Sequence, residues 1–370
     1  MGKVKMEAVE AGLSPDSQKG SANTDGTTEV VVSLEGVFHA FGDVAALTDL
    51  TLSVPKGTIT VLLGPNGAGK TTALRVITGA IAPHRGNVRV FGLDPQIHGE
   101  DVRRRCGVVS AKPSLYDRLS GWENLYYAAR LYGVHREAEA RIRRAAEHFG
   151  IQYALDRQVG AYSTGMKTRL ALARAILHDP ELLLFDEPTS GLDPESSQAV
   201  LQLIRQMTST GRSVVMCTHL LAEAEGLADH VVILDAGADL VQGSPEELIR
   251  RYWPHQVVRF ESLDPGGLEL LRDRPGVLSF GWDGSVDSTA AVVQVDTIER
   301  IPALIDELRG RGVRVVRVDP HRPTLEELYF AVRAERRMDA TVAHPDAHRW
   351  GGPGQELATR ARDAEEAATR

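Results

Sequence analysis

A glycine-rich loop directly after a short apolar run constrains the fold of this chain more than any other feature. The apolar run is ITVLL, residues 59–63, and the loop that follows reads GPNGAGKTT, from Gly64 to Thr72. The pattern G-x-x-x-x-G-K-T between a strand and a helix curls the backbone so that successive N–H groups point inward and bind phosphate. The start of the next helix adds partial positive charge. The sequence therefore predicts a nucleotide phosphate site in an α/β fold.

Two residues of this loop are expected to do specific work. Lys70 is predicted to bridge the β- and γ-phosphates of a nucleotide, and Thr71 is predicted to offer its hydroxyl group to Mg²⁺. The predicted phosphate-binding residues are Gly64, Asn66, Gly67, Gly69, Lys70, Thr71 and Thr72.

A second apolar run ends in two adjacent carboxylates. The segment LLLFDEP covers residues 182–188 and places Asp186 and Glu187 at the end of a buried strand. In a doubly wound sheet the carboxyl ends of the strands lie where ligands bind. We therefore predict that Asp186 holds Mg²⁺, directly or through water, and that Glu187 is the general base that polarises the attacking water.

The apolar periodicity divides the chain into four parts. Apolar runs at 59–64, 181–188, 213–219 and 230–237 predict buried parallel strands, with helices at 167–177 and 195–208 between them. Beyond Trp253, strands at 256–262, 290–296 and 313–319, and helices near 267–273 and 298–310, predict a smaller α+β unit that ends in a helix opened by Thr324. The predicted division is a disordered leader (1–29), a main domain (30–253), an accessory α+β unit (254–334) and a disordered tail (335–370).

Composition narrows the class of protein further. The chain has 370 residues and a net charge of −8, which argues against a broad nucleic-acid surface. Its two cysteines, Cys106 and Cys217, provide neither a disulfide framework nor zinc spacing. No apolar run approaches the roughly 20 residues needed to span a bilayer, and the first residues lack the apolar core of a secretory signal. From the sequence alone we expect a soluble, cytoplasmic chain.

Three further motifs follow the loop in order: YSTGMK at 162–167, SGLD at 190–193, and Thr218-His219. With the phosphate loop and the paired carboxylates, they make residues 31–250 resemble the nucleotide-binding subunit of ATP-binding-cassette (ABC) transporters. The resemblance implies a P-loop NTPase cassette: a RecA-like core with an antiparallel β subdomain and an α-helical insert, followed here by the small α+β unit. It also implies ATP and Mg²⁺ as ligands.

The resemblance implies that two such chains, a homodimer or a pair of ABC subunits, bind head to tail with two ATP molecules between them. Ser163 and Gly165 would contact the γ-phosphate of the ATP held by the other chain, and Asp193 would organise the dimer interface. His219 would contact the γ-phosphate and hold the closed geometry.

Adenine recognition is expected at the end of an early strand. Phe41, in the segment HAFGD, aligns with the aromatic residue that stacks on adenine in the family. Phe38 is the alternative stacking residue.

Three positions differ from the usual family pattern. Thr164 and Met166 replace a Gly and the Gln of the usual LSGGQ signature, in a form that resembles the signatures of exporter subunits. Ala111 occupies the position that normally carries Gln or an acid. Because alanine cannot ligate Mg²⁺ or orient water, either Ser110 or Lys112 substitutes for it or turnover is slower.

The segment after this loop is expected to face the membrane partner. Ser120 and Glu123 form a predicted capping box, and Trp122 and Tyr126 on the same helix are predicted to offer an exposed aromatic anchor. The end of the accessory unit, PTLEELYFAV, resembles the C-terminal extension of daunorubicin-resistance-type exporter ATPases.

The resulting expectation is an ATP-hydrolysing subunit that powers export through a separate membrane permease, working at the inner face of the cell membrane. Two alternatives stay open: a regulator that dimerises on ATP but hydrolyses little, which would give Ala111 a purpose, and a soluble cassette ATPase acting on ribosomes or in DNA repair.

Overall fold

A computed structural model of the chain describes residues 29–284 and 288–340, together with side chains up to residue 336. The predicted leader up to residue 28 and the predicted tail from residue 341 onward lie outside the described residues. Within the described ranges, no helix combines the length and the apolar character that crossing a bilayer requires.

The larger of two sheets has nine strands, in the spatial order β4-β1-β2-β9-β8-β3-β7-β6-β5. Strands β1, β2 and β4 are antiparallel, whereas β3, β5, β6, β7 and β8 run parallel. The strands are β1 (Val30–Phe41), β2 (Val44–Pro55), β3 (Ile59–Leu63), β4 (Arg85–Val90), β5 (Cys106–Val109), β6 (Leu182–Asp186), β7 (Ser213–Thr218), β8 (His230–Asp235) and β9 (Ala238–Gly243).

The central parallel strands are buried on both faces, as their uninterrupted apolar runs predict. Every residue of β3, β6 and β7 is buried. Side chains of β3 alternate between two hydrophobic cores: Val61 and Leu63 belong to one, and Leu62 to the other. The predicted antiparallel β subdomain and parallel core are thus confirmed.

Eight helices between residues 70 and 252 surround this sheet. The segment between β5 and β6 carries α3, α4 and α5, which pack against one another as the predicted helical insert. The helices are α1 (Lys70–Ile77), α2 (Gly99–Arg104), α3 (Gly121–Leu131), α4 (Ala138–His148), α5 (Thr164–Ala175), α6 (Pro194–Thr208), α7 (Leu221–Ala224) and α8 (Pro245–Tyr252). Both Ser120 before α3 and Ser244 before α8 form complete capping boxes.

The smaller sheet is antiparallel, with the order β11-β12-β10-β13. Together with a 3₁₀ turn at Gly267–Leu271 and one α-helix, it follows the β-α-β-β-α-β order of a split βαβ motif. Its elements are β10 (Gln256–Ser262), β11 (Val277–Trp282), β12 (Ala290–Val295), α9 (Arg300–Gly310) and β13 (Val315–Pro320). We call residues 256–320 the four-stranded unit. Strand β11 is absent from the sequence prediction.

The last helix, α10 (Leu325–Ala340), packs on the larger unit rather than on the four-stranded unit. Leu325, Leu328 and Val332 belong to the same core as α7 and α8. The helix also continues to Ala340, past Glu335, where the sequence predicts that a disordered tail begins. The chain therefore leaves the larger unit after α8 and returns to it with α10.

Candidate nucleotide-binding site

The glycine-rich loop lies at the carboxyl end of β3 and leads directly into α1. A Cβ atom on Gly64 would stand 2.5 Å from the carbonyl oxygen of Leu234, a distance that real structures do not tolerate. Gly67 and Gly69 have φ angles of 83° and 101°, in the left-handed region that favours glycine. The loop therefore needs glycine both for close packing and for its backbone conformation.

Lys70 is buried at the centre of this loop, with 6% of its surface exposed. Its Nζ donates hydrogen bonds to the carbonyl oxygens of Gly64, at 2.7 Å, and Pro65, at 3.1 Å. Thr72 is buried on the next turn, whereas Asn66 is exposed on the loop. The loop thus holds one buried ammonium group against its own carbonyl oxygens.

The predicted metal ligands meet across the sheet. Thr71 Oγ1 donates a hydrogen bond to Asp186 Oδ2, at 2.8 Å. Burial raises the pKa of the Asp186 carboxyl group, and the negative charge of Glu187 adds to the rise, while the hydrogen bond from Thr71 opposes it. A hydroxyl and a carboxylate oxygen are hard ligands that suit Mg²⁺.

The predicted general base, Glu187, also has a defined partner. His219 Nδ1 lies 2.9 Å from Glu187 Oε1, so a protonated Nδ1 donates to the carboxylate. Glu187 has a φ angle of 47°, and its N–H is held by the carbonyl oxygen of Cys217 at 2.9 Å. A left-handed non-glycine residue is strained, and such strain concentrates at functional sites.

The two candidate adenine-stacking residues differ in exposure. Phe41 is 48% exposed at the end of β1, and its ring is nearly perpendicular to that of His39, with the ring centroids 4.6 Å apart. Phe38 is half-buried, and the guanidinium group of Arg85 covers its face at 5.4 Å. Strand β2, paired with β1 at Phe41, then passes the phosphate loop at Gly69. Phe41 is therefore the more exposed of the two candidates.

Ala111 is exposed in the loop after β5, beside the end of β6. Ser110 Oγ donates to the carbonyl oxygen of Lys112 at 2.9 Å, which fixes the turn locally. The methyl group of Ala111 offers no ligand to this edge of the sheet.

The signature residues lie together with Asp193. Ser163 caps α5 by accepting a hydrogen bond from the N–H of Met166, and Asp193 caps α6 by accepting one from Ser196. Hydrogen bonds from the side chain and the backbone of Ser196 lower the pKa of the Asp193 carboxyl group. A Cβ atom on Gly165 would lie 3.6 Å from Ser196 Oγ, so the starts of α5 and α6 are neighbours. No hydrogen bond within the described ranges joins Ser163 to the phosphate loop.

Comparison with known proteins gives the family of this chain. The family model described as ABC transporter matches residues 47–190. The daunorubicin resistance ATP-binding protein DrrA3 of Streptomyces coeruleorubidus is 32% identical over 315 residues, which are 84% of this chain and 98% of that protein. The chain belongs to the ABC transporter family. A second ABC relative, the ATP-binding protein NatA of Bacillus subtilis (strain 168), is 39% identical over 55% of this chain and 84% of its own length.

Solved structures of ABC proteins share the fold of this cassette. An ATP-binding subunit of an ABC transporter superposes with a TM-score of 0.56 and 30% identity, covering 60% of this chain and 93% of that one. A bacterial Atm1-family ABC exporter with ATP bound superposes with a TM-score of 0.53 and 28% identity, covering 60% of this chain and 39% of that one.

Membership of the ABC family implies binding and hydrolysis of ATP, typically with Mg²⁺, in a subunit of an exporter-type system. The residues fit both ligands on structural grounds. The glycine cradle at Gly64 leaves no room for a Cβ atom, and Thr71 and Asp186 present two oxygen donors at its edge.

The exposure of the aromatic residues on α3 agrees only in part with the prediction of an exposed aromatic anchor. Trp122 is half-buried against the core, and the guanidinium group of Arg143 lies 5.1 Å from its ring. Tyr126 is 42% exposed, as predicted, and is joined on the surface by Tyr127 and Tyr116, whose rings meet edge to face. Trp122 faces inward because the first turn of α3 packs on the segment at Leu155.

Two contacts that support the site were not predicted from the sequence. The N–H of Gly237 donates to the carbonyl oxygen of Ala68, and a Cβ atom on Gly237 would stand 2.9 Å from the backbone of Leu47. Glu223, which is buried, accepts a hydrogen bond from the hydroxyl group of Thr218, next to His219. Gly237 follows an apolar run, where a glycine signals a turn, but this signal does not indicate the contact with Ala68.

Proposed function

We propose that this chain hydrolyses ATP at the site described above, and that two copies close around ATP to power export through a separate membrane permease. The observation that carries the proposal is the pairing of His219 with Glu187, 2.9 Å apart, beside the hydrogen-bonded Thr71 and Asp186. It holds a carboxylate at a strand end next to the phosphate loop, where a general base is needed.

The residues of the site divide the chemistry. The buried ammonium group of Lys70 and the loop N–H groups meet the phosphate oxygens. Thr71 and Asp186 hold Mg²⁺, which neutralises phosphate charge when it is bound. Glu187 takes the proton of the attacking water, and His219 fixes the position of the Glu187 carboxylate. Most of the catalysis is therefore positioning and electrostatic stabilisation.

A second chain completes each site in this proposal. Ser163 and Gly165 of one copy reach the γ-phosphate bound by the other copy, Asp193 organises the contact between copies, and Phe41 stacks on adenine. The exposed Ser163 cap on α5 supports this arrangement, because Ser163 makes no hydrogen bond to the loop of its own chain within the described ranges.

Export is supported by the relatives. One is a daunorubicin resistance ATP-binding protein, and the Nod factor export ATP-binding protein I of Bradyrhizobium diazoefficiens is 35% identical over 66% of this chain. ABC ATP-binding subunits work with membrane permeases, so we place this subunit in the cytoplasm, bound to its permease at the inner face of the membrane. The exposed tyrosines Tyr116, Tyr126 and Tyr127 offer a contact surface.

Turnover of Glu187→Gln tests the proposal. We expect kcat for ATP to fall by about 10²–10⁴, the usual contribution of a general base, while ATP still binds. The control is Glu246→Gln, an exposed glutamate in the first turn of α8, which should keep wild-type kcat. Wild-type turnover in Glu187→Gln would overturn the assignment of the base.

Ala111 favours a second candidate, an ATP-gated regulator with little hydrolysis, because its methyl group cannot ligate Mg²⁺ or orient water. In this case the wild-type chain binds ATP and hydrolyses it slowly, and Ala111→Gln raises kcat. A wild-type kcat equal to or above that of Ala111→Gln would exclude this candidate.

A further inference from the structure

The segment that carries His219 is short and depends on its neighbours. Helix α7 follows His219 after one residue and contains only a single turn, Leu221–Ala224. A helix of this length is not stable without tertiary contacts. What holds α7 therefore determines where His219 lies.

One support of this segment comes from within it. The buried Glu223 accepts a hydrogen bond from Thr218 Oγ1 at 3.1 Å, and the same hydroxyl oxygen accepts one from the N–H of Leu220 at 3.0 Å. His219 is thus flanked on both sides by residues of a small hydrogen-bonded ring. The ring is fixed in place only if α7 itself is fixed.

The other support comes from the far end of the chain. Glu225, directly after α7, accepts a hydrogen bond from the N–H of Leu325 at 2.7 Å. Leu325 is the first residue of α10, where backbone N–H groups lack partners within the helix and the helix dipole favours a carboxylate. The buried side chains of Leu325 and Leu328 then pack in the core that contains Ala224.

We infer that Glu225 is a positioning residue for hydrolysis: by capping α10 it holds α7, and through α7 it holds His219 against Glu187. The four-stranded unit, which ends just before α10, is thereby connected to the catalytic residues. This inference rests on the catalytic role proposed above for His219.

Helix α10 offers a matched control, because it has a second polar anchor farther from His219. The hydroxyl group of Tyr252 on α8 donates to Glu335 at 2.7 Å. Burial, together with Glu335, raises the pKa of Tyr252 to about 12, so the hydroxyl group stays protonated. Glu335→Ala removes one α10 hydrogen bond without touching α7.

The experiment compares steady-state ATP hydrolysis and ATP affinity of the full chain in five forms: wild type, Glu225→Ala, Glu225→Gln, Glu335→Ala and His219→Ala. We expect Glu225→Ala to lower kcat about fivefold, the factor that loss of one hydrogen bond gives, with ATP affinity unchanged. Glu225→Gln keeps an acceptor oxygen and should stay within about twofold of wild type, as should Glu335→Ala.

The double variant His219→Ala/Glu225→Ala separates positioning from general destabilisation. If Glu225 acts through His219, the double variant should turn over no more slowly than His219→Ala alone, because the effects of coupled residues on kcat are not additive. Equal losses in Glu225→Ala and Glu335→Ala, or additive losses in the double variant, would overturn the inference. So would wild-type kcat in Glu225→Ala.

Hydrogen exchange gives a readout that does not need turnover. The amide of Leu220 should exchange faster in Glu225→Ala than in wild type or Glu335→Ala, because it depends on the Thr218 hydroxyl. Unchanged exchange there would count against the inference. If His219→Ala turns over like wild type, the role of His219 in the proposed function is wrong. If Glu225→Ala turns over like wild type but His219→Ala does not, only the inference about Glu225 is wrong.

Discussion

At the end of β6 the carboxyl group of Asp186 is buried, and burial raises its pKa. An acid with a raised pKa in the fold binds its proton more tightly there than in the unfolded chain. Its ionised form therefore costs stability, and the cost appears as the pH rises through the raised pKa. In the proposed function, this side chain serves a cation at the expense of the fold.

Asp186→Asn should make this cost visible. Without nucleotide or Mg²⁺, we expect the variant to have a higher Tm than wild type at neutral pH, because it removes a buried charge and keeps an acceptor for Thr71. The difference should vanish at acidic pH, where Asp186 is protonated. Thermal unfolding across a pH series measures it. A Tm lower than that of wild type at neutral pH would contradict the argument.

Some residues of the site can be predicted from the sequence and others cannot, depending on whether they interact with residues nearby or far away in the chain. The phosphate loop and the Asp186-Glu187 pair are local patterns, since each lies within a few residues of a strand end. Gly237 and Glu225 act on residues far away in the chain, Ala68 and Leu325, and no local pattern marks such pairs. The catalytic and binding roles of the predicted residues stay predictions.

Among the elements, α10 shows how a boundary in sequence differs from one in packing. Along the chain α10 directly follows the four-stranded unit. The sequence prediction therefore includes its start in the accessory α+β unit of residues 254–334. Its apolar face nevertheless completes the core of the larger unit through Leu328, which is fully buried. Amphipathic periodicity identifies a helix and its buried face, but it does not identify the surface that the face meets. Strand β11 is not predicted because Ser279 and Gly281 interrupt the apolar run of VLSFGW, and its pairing with β12 makes it a strand.

Leu328→Ala should therefore destabilise the larger unit. Truncation of a fully buried leucine costs about 2–5 kcal/mol. The urea concentration at which ATP binding is lost reports on that unit and should fall. The control is Leu308→Ala on α9, equally buried but in the core of the four-stranded unit, which should leave that midpoint unchanged. Equal midpoints in the two variants would show that α10 does not support the larger unit.

For the whole molecule, the proposed dimer gives a direct test. The Glu187→Gln chain, which binds ATP without hydrolysing it in our proposal, should double its mass in light scattering on addition of ATP and Mg²⁺. Adding Ser163→Ala should prevent this, because the partner's signature loses its hydroxyl group. Adding Ser279→Ala, a serine of the four-stranded unit, should not. Dimers in the Ser163→Ala form would contradict a head-to-tail arrangement through the signature.

The path of the chain around the four-stranded unit has a mechanical consequence. The chain leaves this unit beside the point where it enters it, because Gln256 Nε2, at the start of β10, donates to the carbonyl oxygen of His321, and the N–H of His321 donates to that of Val257. A unit on a single flexible linker swivels about the bonds of that linker. Because hydrogen bonds join the entry and the exit of the four-stranded unit, these two points resist twisting about each other. A torque applied to the unit therefore passes to α8 and α10 together.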